Sequence, residues 1–259
     1  MAREDRSTDF IQSLERGLAV INSFSRDHPV QTLSEVAGRT GLTRATSRRV
    51  LLTLGELGYV DQRGRDFSLT PKVLDLGYSF LSSLRVVEVA QPSLERLVDE
   101  VHESSSMSVL DGSEIVYVAR VPTTRIMTIA LALGSRLPAY PTSMGRVLLA
   151  GLDDDELENY ISSSRFEQLT PHTVTDPDRF RSIIANVRED GYALVDQELE
   201  EGVRSIGAPI RNRTEEVIAA MNVSCHASRF DVKTMRRALM PRLVETAAEI
   251  SDRVRALPI

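Results

Sequence analysis

The chain has 259 residues, of which 42% are hydrophobic and 26% charged, and this composition is ordinary for a globular protein with two modest domains. No apolar run approaches the roughly 18 residues needed to span a bilayer, and the charged start lacks the apolar core of a secretory signal. The single cysteine, Cys225, cannot form an internal disulfide. We therefore expect a cytoplasmic protein without membrane segments.

The net charge of −6 is unevenly distributed along the chain. Residues 1–75 carry 11 basic and 10 acidic side chains, whereas the remainder carries 20 basic and 27 acidic ones. A weakly basic region joined to an acidic body can still bind DNA if its basic groups lie on one face. The overall acidity therefore does not exclude a nucleic-acid partner.

The first predicted elements form a helix-turn-helix. Apolar periodicity predicts a helix over residues 13–24. Thr32 and Glu35 have the spacing of a capping box, so a second helix begins just after Thr32. Gly41 ends that helix where a left-handed conformation is tolerated, and Thr43 can cap a third helix. Two short helices joined by a glycine turn match the helix-turn-helix pattern.

The third helix and the segment after it present arginines to solvent. On the helix, Arg48 and Arg49 point away from the core and Arg44 lies at its leading end. Alternation over residues 59–69 predicts a β-hairpin, the wing, with two arginines and a glycine at its tip. Each arginine alone would be interpreted as a solvated surface residue, but five on one exposed surface favour contacts to guanine edges and phosphates. The predicted DNA contacts are Thr43, Arg44, Ala45, Thr46, Arg48, Arg49, Arg63 and Arg65.

The rest of the chain predicts helices around a largely antiparallel sheet, an α+β domain. A helix over residues 71–84 connects the two parts, and another follows Gln91-Pro92. Asp111-Gly112 predicts a hairpin turn. Strands are expected at 106–110, 114–121, 126–131, 192–195, 205–210 and 217–223, and helices at 143–152, 153–162, after 177 and at 232–256.

These elements divide the chain into three parts. Residues 1–75 form the predicted winged helix-turn-helix, and residues 76–90 a linker helix. Residues 91–259 form the predicted effector-binding and oligomerisation domain.

Two groups of polar residues in this body are predicted to line a ligand pocket. Thr142, Ser143 and Met144 lie where a loop enters a helix, whose free N–H groups attract a carboxylate. Asn222 and Ser224 are two residues apart on one strand, so their side chains face the same side. A pocket between sheet and helix with a few such groups would bind a small molecule.

If the ligand is a carboxylic acid, we expect an arginine to pair with it. Arg136 and Arg146 are the candidates, because an arginine can bind a carboxylate with two parallel hydrogen bonds. A purely structural role is the alternative for Arg136.

Several blocks in the chain resemble the IclR family of bacterial transcriptional regulators, from about residue 13 to the C terminus. The resemblance is specific because the blocks occur in the family's order and spacing. They are SLERGLAVI, RRVLLTLGELGYV, GSRLPAYPTSMGRVLLA, GYALVDQELEEGVRSIGAPI and AAMNVSCHAS.

The resemblance implies a winged-helix domain, a linking helix and an α/β, GAF-like effector domain. It also implies binding to palindromic, double-stranded promoter DNA as a homodimer or a dimer of dimers, under the control of a small metabolite. Asn222 and Ser224 match a polar pair that lines the family's effector pocket, and Asp196 matches a position at its rim. A structural role for Asp196 remains the alternative.

Residues 9–18 and 137–150 are most similar to the PcaR/PcaU/PobR group, which regulates aromatic-acid breakdown through the β-ketoadipate pathway. This similarity implies a carboxylic acid effector, namely protocatechuate, 4-hydroxybenzoate or β-ketoadipate. The chain has Ser47-Arg48 where many members carry an aromatic residue or valine. The base preference of the family is therefore not transferable.

Two other classes of function are considered. A small-molecule hydrolase would use Ser143, because residues 141–145 nearly match G-x-S-x-G, but Pro141 does not readily supply the strained turn of that motif. Cys225 and His226 are neighbours on a strand, so they face opposite sides and cannot act as nucleophile and base. No two of the histidines have metal-ligand spacing on a helix; they are His28, His102, His172 and His226. We therefore expect no catalytic residue, metal or cofactor.

The other class is a ligand sensor that does not bind DNA. It predicts no salt-sensitive DNA affinity, whereas a regulator predicts an affinity that falls steeply with salt because counterions are released from the phosphates.

Overall fold

The computed structural model of the protein describes residues 9–123 and 131–257. The chain divides into two compact units, the first ending at Ser83 and the second beginning at Leu84. The strand predicted at 126–131 lies outside the described residues except for its last position. Within these ranges, the helices are too short or too polar to cross a membrane.

The first unit is a helix-turn-helix followed by a hairpin, as the sequence predicted. Its three strands form an antiparallel sheet in the order β1-β3-β2. Arg63 pairs with Asp66 across the hairpin turn, where Gly64 adopts a φ of 65° that favours glycine. The elements are α1 (Gln12–Asn22), β1 (Val30–Thr32), α2 (Leu33–Thr40), α3 (Arg44–Glu56), β2 (Val60–Arg63), β3 (Asp66–Leu69) and α4 (Leu74–Ser83).

Local capping explains where the helices of the first unit begin. The backbone N–H of Thr32 donates to Glu35 Oε2 at 2.7 Å, and the N–H of Glu35 donates to Thr32 Oγ1 at 3.4 Å, so the predicted capping box is confirmed. Gly41 ends α2 at a φ of 67°. Thr43 Oγ1 accepts from the N–H of Thr46 at 3.2 Å and starts α3. The packed interior between these elements consists of Val20, Phe24, Val36, Leu51, Leu54, Val60 and Phe67.

The second unit contains a six-stranded antiparallel sheet in the order β6-β5-β4-β9-β8-β7. A π-helical turn at Met235–Leu239 joins its last two helices. The strands are β4 (Ser104–Asp111), β5 (Glu114–Val121), β6 (Arg136–Pro138), β7 (Ala193–Asp196), β8 (Val203–Arg211) and β9 (Val217–His226). The helices are α5 (Arg85–Val101), α6 (Ser143–Ala150), α7 (Asp154–Ser163), α8 (Pro177–Asp190), α9 (Val232–Thr234) and α10 (Met240–Ala256).

The helix predicted to follow Gln91-Pro92 begins earlier than the proline suggested. Helix α5 starts at Arg85 and contains Pro92 in its interior. Proline is most often a helix-start signal, and the apolar periodicity on its N-terminal side was missed. Residues 76–90 thus include parts of both α4 and α5, which are separated at Leu84.

The two faces of the sheet are covered by different helices. Helix α6 packs on one face of β8 and β9, while α10 packs against α5 and β8. Cys225 is buried on the α10 side, with its Sγ 3.8 Å from Met235 Sδ, and Ser224 faces the α6 side. The predictions for Cys225 are confirmed: it is buried, and it does not share a face with the exposed His226.

Two glycines allow the start of α6 to lie directly against its neighbours. A Cβ at Gly145 would lie 2.0 Å from the carbonyl oxygen of Ala139, and one at Gly207 on β8 would lie 2.9 Å from the carbonyl of Ser143. Both contacts involve backbone atoms, which cannot swing away as a flexible side chain would. Helix α6 is therefore fixed over the strand that carries part of the candidate pocket.

Candidate functional site

In the first unit, α3 and the hairpin line one groove, which we call the α3–hairpin groove. Arg44 and Arg48 from α3 face it, together with Arg65 from the hairpin. All three arginine side chains are exposed, and Arg44 Nη1 donates to Ser34 Oγ at 2.8 Å, which fixes its direction. The remaining lining residues are Thr32, Leu33, Ser34, Leu52, Gln62, Gly64 and Phe67.

The structure does not bring all five predicted arginines together. Arg49 lines a different groove, between α1 and α3, with Leu14 among its neighbours. The Arg63 Nε is 3.1 Å from Asp61 Oδ2, so its guanidinium is paired within its own strand. The lining of the α3–hairpin groove thus includes three of the five predicted arginines, and Arg49 and Arg63 are outside it. At 100° per residue, adjacent helix positions such as 48 and 49 diverge enough to face different neighbours.

The other predicted DNA contacts lie around the start of α3. Thr43 and Thr46 are joined by a hydrogen bond of 3.0 Å between their hydroxyls, and Thr43 also caps the helix. Thr46 lines the groove between α1 and α3, and Ala45 is exposed.

In the second unit, the start of α6, strands β8 and β9 and the segment before β8 enclose a small cavity, which we call the α6 cavity. Its volume is about 40 Å³, far below the roughly 300–1,000 Å³ of typical ligand pockets. Among the described residues it is lined by Tyr117, Leu131, Pro141, Thr142, Ser143, Met144, Val195, Leu199, Glu200, Val203, Ser205, Asn222 and Ser224.

The first turn of α6 gives the cavity its positive end. Thr142 Oγ1 accepts from the N–H of Gly145 at 3.0 Å, so the unpaired N–H groups that remain are earlier in the helix. Ser143 is 1% exposed, and its hydroxyl has no hydrogen-bond partner among the described residues. A buried hydroxyl beside the positive end of a helix dipole suits an anion.

The polar pair on β9 is organised as the sequence predicted. Asn222 Nδ2 donates to Ser224 Oγ at 2.9 Å, so both side chains occupy one face of the strand. Asn222 Oδ1 also accepts from the backbone N–H of Ser106 at 3.1 Å. These contacts hold the amide in one orientation, with both side chains lining the cavity.

The two arginines predicted to pair with a ligand carboxylate already hold carboxylates of the chain. Arg146 Nη2 donates to Glu198 Oε2 at 2.6 Å, and these side chains are only 3% and 9% exposed. Arg136 on the edge strand β6 binds Asp111 and Glu114 at 2.7 Å each. The hydrogen bonds that the Arg136 guanidinium donates to Glu114 and Asp111 raise its pKa above the ordinary value.

The third residue predicted near the pocket is also held by the chain. Asp196 Oδ1 accepts from Arg204 Nε at 2.6 Å and from Gln197 Nε2 at 3.1 Å. Arg136, Arg146 and Asp196 are not among the described residues that line the α6 cavity. Spacing along the chain did not reveal the ion-pair partners of these three residues, because the partners are distant in sequence or on neighbouring strands.

Sequence reasoning also missed several residues that line the cavity. Glu200 and Leu199 lie in an irregular segment without periodicity, so no pattern indicated which way they face. Ser205 pairs in register with Ser224 across β8 and β9, and the sequence alone does not give that register. Burial raises the pKa of Tyr117 to about 12, so its phenol stays protonated at neutral pH and can donate a hydrogen bond.

The arrangement around Ser143 does not resemble a hydrolase site. The histidines are absent from the described lining of the cavity, so no base is placed beside the Ser143 hydroxyl. Ser143 is the first residue of α6 and follows an extended Thr142, whereas a nucleophile elbow is a strained turn after a buried strand.

Comparisons with known proteins match both units of the chain to one family. The family model described as IclR helix-turn-helix domain matches residues 13–64, and that described as bacterial transcriptional regulator IclR C-terminal matches residues 78–252. The chain is 42% identical to the Pca regulon regulatory protein of Pseudomonas putida, over 93% of this chain and 84% of that protein. It is 36% identical to the p-hydroxybenzoate hydroxylase transcriptional activator of Acinetobacter baylyi, over 98% and 95% of the two chains.

A solved structure extends this likeness to a ligand complex. The crystal structure of an IclR homologue from Microbacterium hydrocarbonoxydans in complex with 4-hydroxybenzoate superposes with a TM-score of 0.84 at 27% identity. The superposition covers 95% of this chain and all of that one.

Proposed function

This chain belongs to the IclR family of bacterial transcriptional regulators, and from that premise we propose how it binds DNA and which molecule controls it. It is a transcriptional regulator of the IclR type, similar to regulators of aromatic-acid catabolism. The matched families and relatives are regulators rather than enzymes, so the hydrolase hypothesis is set aside.

The first unit would bind the major groove through the exposed face of α3. The observation that carries this is the α3–hairpin groove, where Arg44, Arg48 and Arg65 converge from two elements. An arginine near the start of a recognition helix can bind guanine with two hydrogen bonds, and one on a wing can reach phosphate. The three side chains are exposed, so DNA can reach them without rearrangement of the unit.

The protein would act as a homodimer or a dimer of dimers in the cytoplasm. Two recognition helices roughly 34 Å apart enter successive major grooves on one face of a palindromic site. A single copy contributes one α3, so specific binding to a palindrome requires a second copy.

The second unit would bind a small carboxylic acid in the α6 cavity. The carboxylate would lie at the start of α6, where the hydroxyl of Ser143 is buried without a partner. Apolar contact would come from Tyr117, Leu131 and Leu199. The relatives named Pca regulon regulatory protein and p-hydroxybenzoate hydroxylase transcriptional activator, and the homologue bound to 4-hydroxybenzoate, support an aromatic acid or a related acid as the effector.

The small volume of the α6 cavity suggests how such a ligand changes the protein. A cavity of about 40 Å³ must widen before it accepts an aromatic acid, so the ligand favours a different arrangement of the cavity walls. A ligand shifts an equilibrium only by its differential affinity for two arrangements. Entry of the acid would therefore change the arrangement of the cavity walls, and this change can be coupled to DNA affinity.

A gel-shift experiment with the promoter next to the protein's own gene tests this function. At 50 mM and 200 mM salt we expect affinity to fall by about 10³-fold or more if six or more phosphates are contacted. Addition of 4-hydroxybenzoate, protocatechuate or β-ketoadipate should change the retarded fraction at fixed salt. A promoter affinity that is absent, or that does not depend on salt, would support the ligand sensor that does not bind DNA.

A further inference from the structure

The α6 cavity is also lined by a polar side chain whose chemistry differs from that of the first turn of α6. Glu200 lies in the segment before β8 and lines the cavity beside Leu199 and Val203. Its Oε2 atom is buried and has no hydrogen-bond partner among the described residues. Burial of a carboxylate oxygen without a donor is costly, so this atom is suited to a donor carried by a molecule in the cavity.

The other polar groups of the cavity are mainly donors. The Ser143 hydroxyl is unpartnered, and Ser224 Oγ accepts from Asn222, which leaves its own hydrogen to be donated. Tyr117 adds a phenol that stays protonated, and the start of α6 adds the positive end of a helix dipole. One end of the cavity is thus built for an anion, whereas Glu200 is built for a donor.

We propose that the cavity selects acids that carry a hydroxyl or amino donor in addition to the carboxylate, with the carboxylate at the start of α6 and the donor on Glu200 Oε2. The inference rests on the proposed function, because it requires an effector in this cavity. Hydroxybenzoates have the required asymmetry. A dicarboxylate such as β-ketoadipate does not, because its second carboxylate would face the carboxylate of Glu200, and like charges in a shared site repel.

Titration calorimetry on the full-length protein tests the preference directly. Three acids are compared: 4-hydroxybenzoate, 4-fluorobenzoate and β-ketoadipate. Fluorine is close to a hydroxyl in size but has no hydrogen to donate. We expect 4-hydroxybenzoate to bind about ten- to hundredfold more tightly than 4-fluorobenzoate, the weight of a hydrogen bond to a charged acceptor. β-Ketoadipate should bind at least about tenfold more weakly than 4-hydroxybenzoate.

The variant Glu200→Gln removes the charge at nearly constant shape. We expect the preference for 4-hydroxybenzoate over 4-fluorobenzoate to shrink at least about threefold, because hydrogen bonds to a charged acceptor are roughly twice as strong as neutral ones. The affinity for β-ketoadipate should rise, since the repulsion is gone. The matched control is Glu201→Gln: Glu201 is adjacent in sequence, exposed, and absent from the described lining, so both preferences should stay as in the parent protein.

The outcomes separate this inference from the proposed function. Equal affinities for the hydroxy and fluoro acids, or preferences that Glu200→Gln leaves unchanged, would overturn the inference. Tighter binding of β-ketoadipate than of 4-hydroxybenzoate would also overturn it, while the proposed function would stand. If the protein binds promoter DNA but none of the three acids, the effector assignment of the proposed function fails together with the inference.

Discussion

The α3–hairpin groove and the α6 cavity are built in opposite ways. The groove comes from one continuous stretch, residues 32–67, and its arginines are exposed. The cavity gathers residues from 117 to 224, and its key polar atoms are buried. The groove is formed by elements that are neighbours in the sequence, whereas the cavity is formed by strands and a helix that are far apart in the chain. The groove therefore depends on exposed side chains and the cavity on buried ones, so single substitutions should have different effects in the two units.

The two sites also use charge differently. On the proposed function, the exposed arginines of the groove would act on a polyanion over distances that salt screens, so their effect should depend on ionic strength. Inside the second unit, charges are paired at hydrogen-bond distance, as Arg146 and Glu198 are at 2.6 Å, and salt reaches them far less. Loss of one partner should therefore be costly where an ion pair is buried and mild where it is exposed.

The largest expected effect comes from the buried pair beside the cavity. Arg146 joins α6 to Glu198 and to the carbonyl of Tyr140, while Glu198 also accepts from the N–H of Val174. Glu198→Ala should lower the free energy of unfolding by about 3–5 kcal/mol, because it leaves a buried guanidinium without its carboxylate. Urea denaturation followed by circular dichroism measures the change.

The control for this variant is the other arginine that sequence reasoning proposed for the ligand. Arg136→Ala breaks two ion pairs of similar length, but all three side chains are 39–64% exposed. Its cost should be within about 1 kcal/mol, as for exposed pairs in general. Equal losses in Glu198→Ala and Arg136→Ala would contradict the contrast between buried and exposed ion pairs.

The second expected effect lies in the groove and affects DNA affinity rather than folding. Arg48→Ala should weaken specific promoter binding by about 1–3 kcal/mol if Arg48 contacts a base, with little change in unfolding free energy because the side chain is exposed. Quantitative gel shifts on the promoter and on a scrambled sequence measure the loss of specificity.

Arg49→Ala is the matched comparison on the same helix. Arg49 carries the same charge one position away but lines the groove between α1 and α3. We expect its removal to weaken specific and non-specific DNA equally and only slightly, through the loss of one positive charge. If Arg49→Ala reduced specificity as much as Arg48→Ala, the assignment of the reading face to the α3–hairpin groove would be wrong.

The features that the sequence predicted correctly are those set by residues close together in the chain, as in the groove. The capping box at Thr32, the turn at Gly41 and the hairpin at Gly64 depend on residues at most a few positions apart, and all three are confirmed. Asn222 and Ser224 were also predicted to share a face, because alternation along a strand is local. Each of these features has a periodicity or a cap that a single sequence contains.

The failures concern contacts between residues far apart in the chain. Arg146 and Glu198 are 52 positions apart, and nothing in the local pattern indicates that they meet in the interior. Glu200 lies in an irregular segment, where neither helix nor strand periodicity fixes the direction of a side chain. Pro92 was misread because a proline inside a helix and one at its start have the same local sequence. Only the register of the sheet and the packing of α6 resolve such positions.

The smallest expected effect concerns the capping box of α2 in the first unit, and it is measured through the pH dependence of stability. The backbone N–H and the hydroxyl of Thr32 donate to the carboxylate of Glu35 at 2.7 and 2.8 Å, and these bonds hold the Glu35 pKa below its ordinary value. A folded-state pKa below the unfolded one stabilises the fold above the unfolded pKa, near 4.3, and that stabilisation is lost as the pH falls through the lowered folded value. Thermal denaturation between pH 3 and 6 should therefore show a shallower acid loss for Glu35→Gln than for the parent protein. Glu56→Gln, at the end of α3, is the control and should keep the parent slope. An acid loss in Glu35→Gln as steep as in the parent protein would mean that this exposed capping box contributes no measurable stability to the first unit. Local hydrogen bonds would then matter less for the first unit than we infer from its structure.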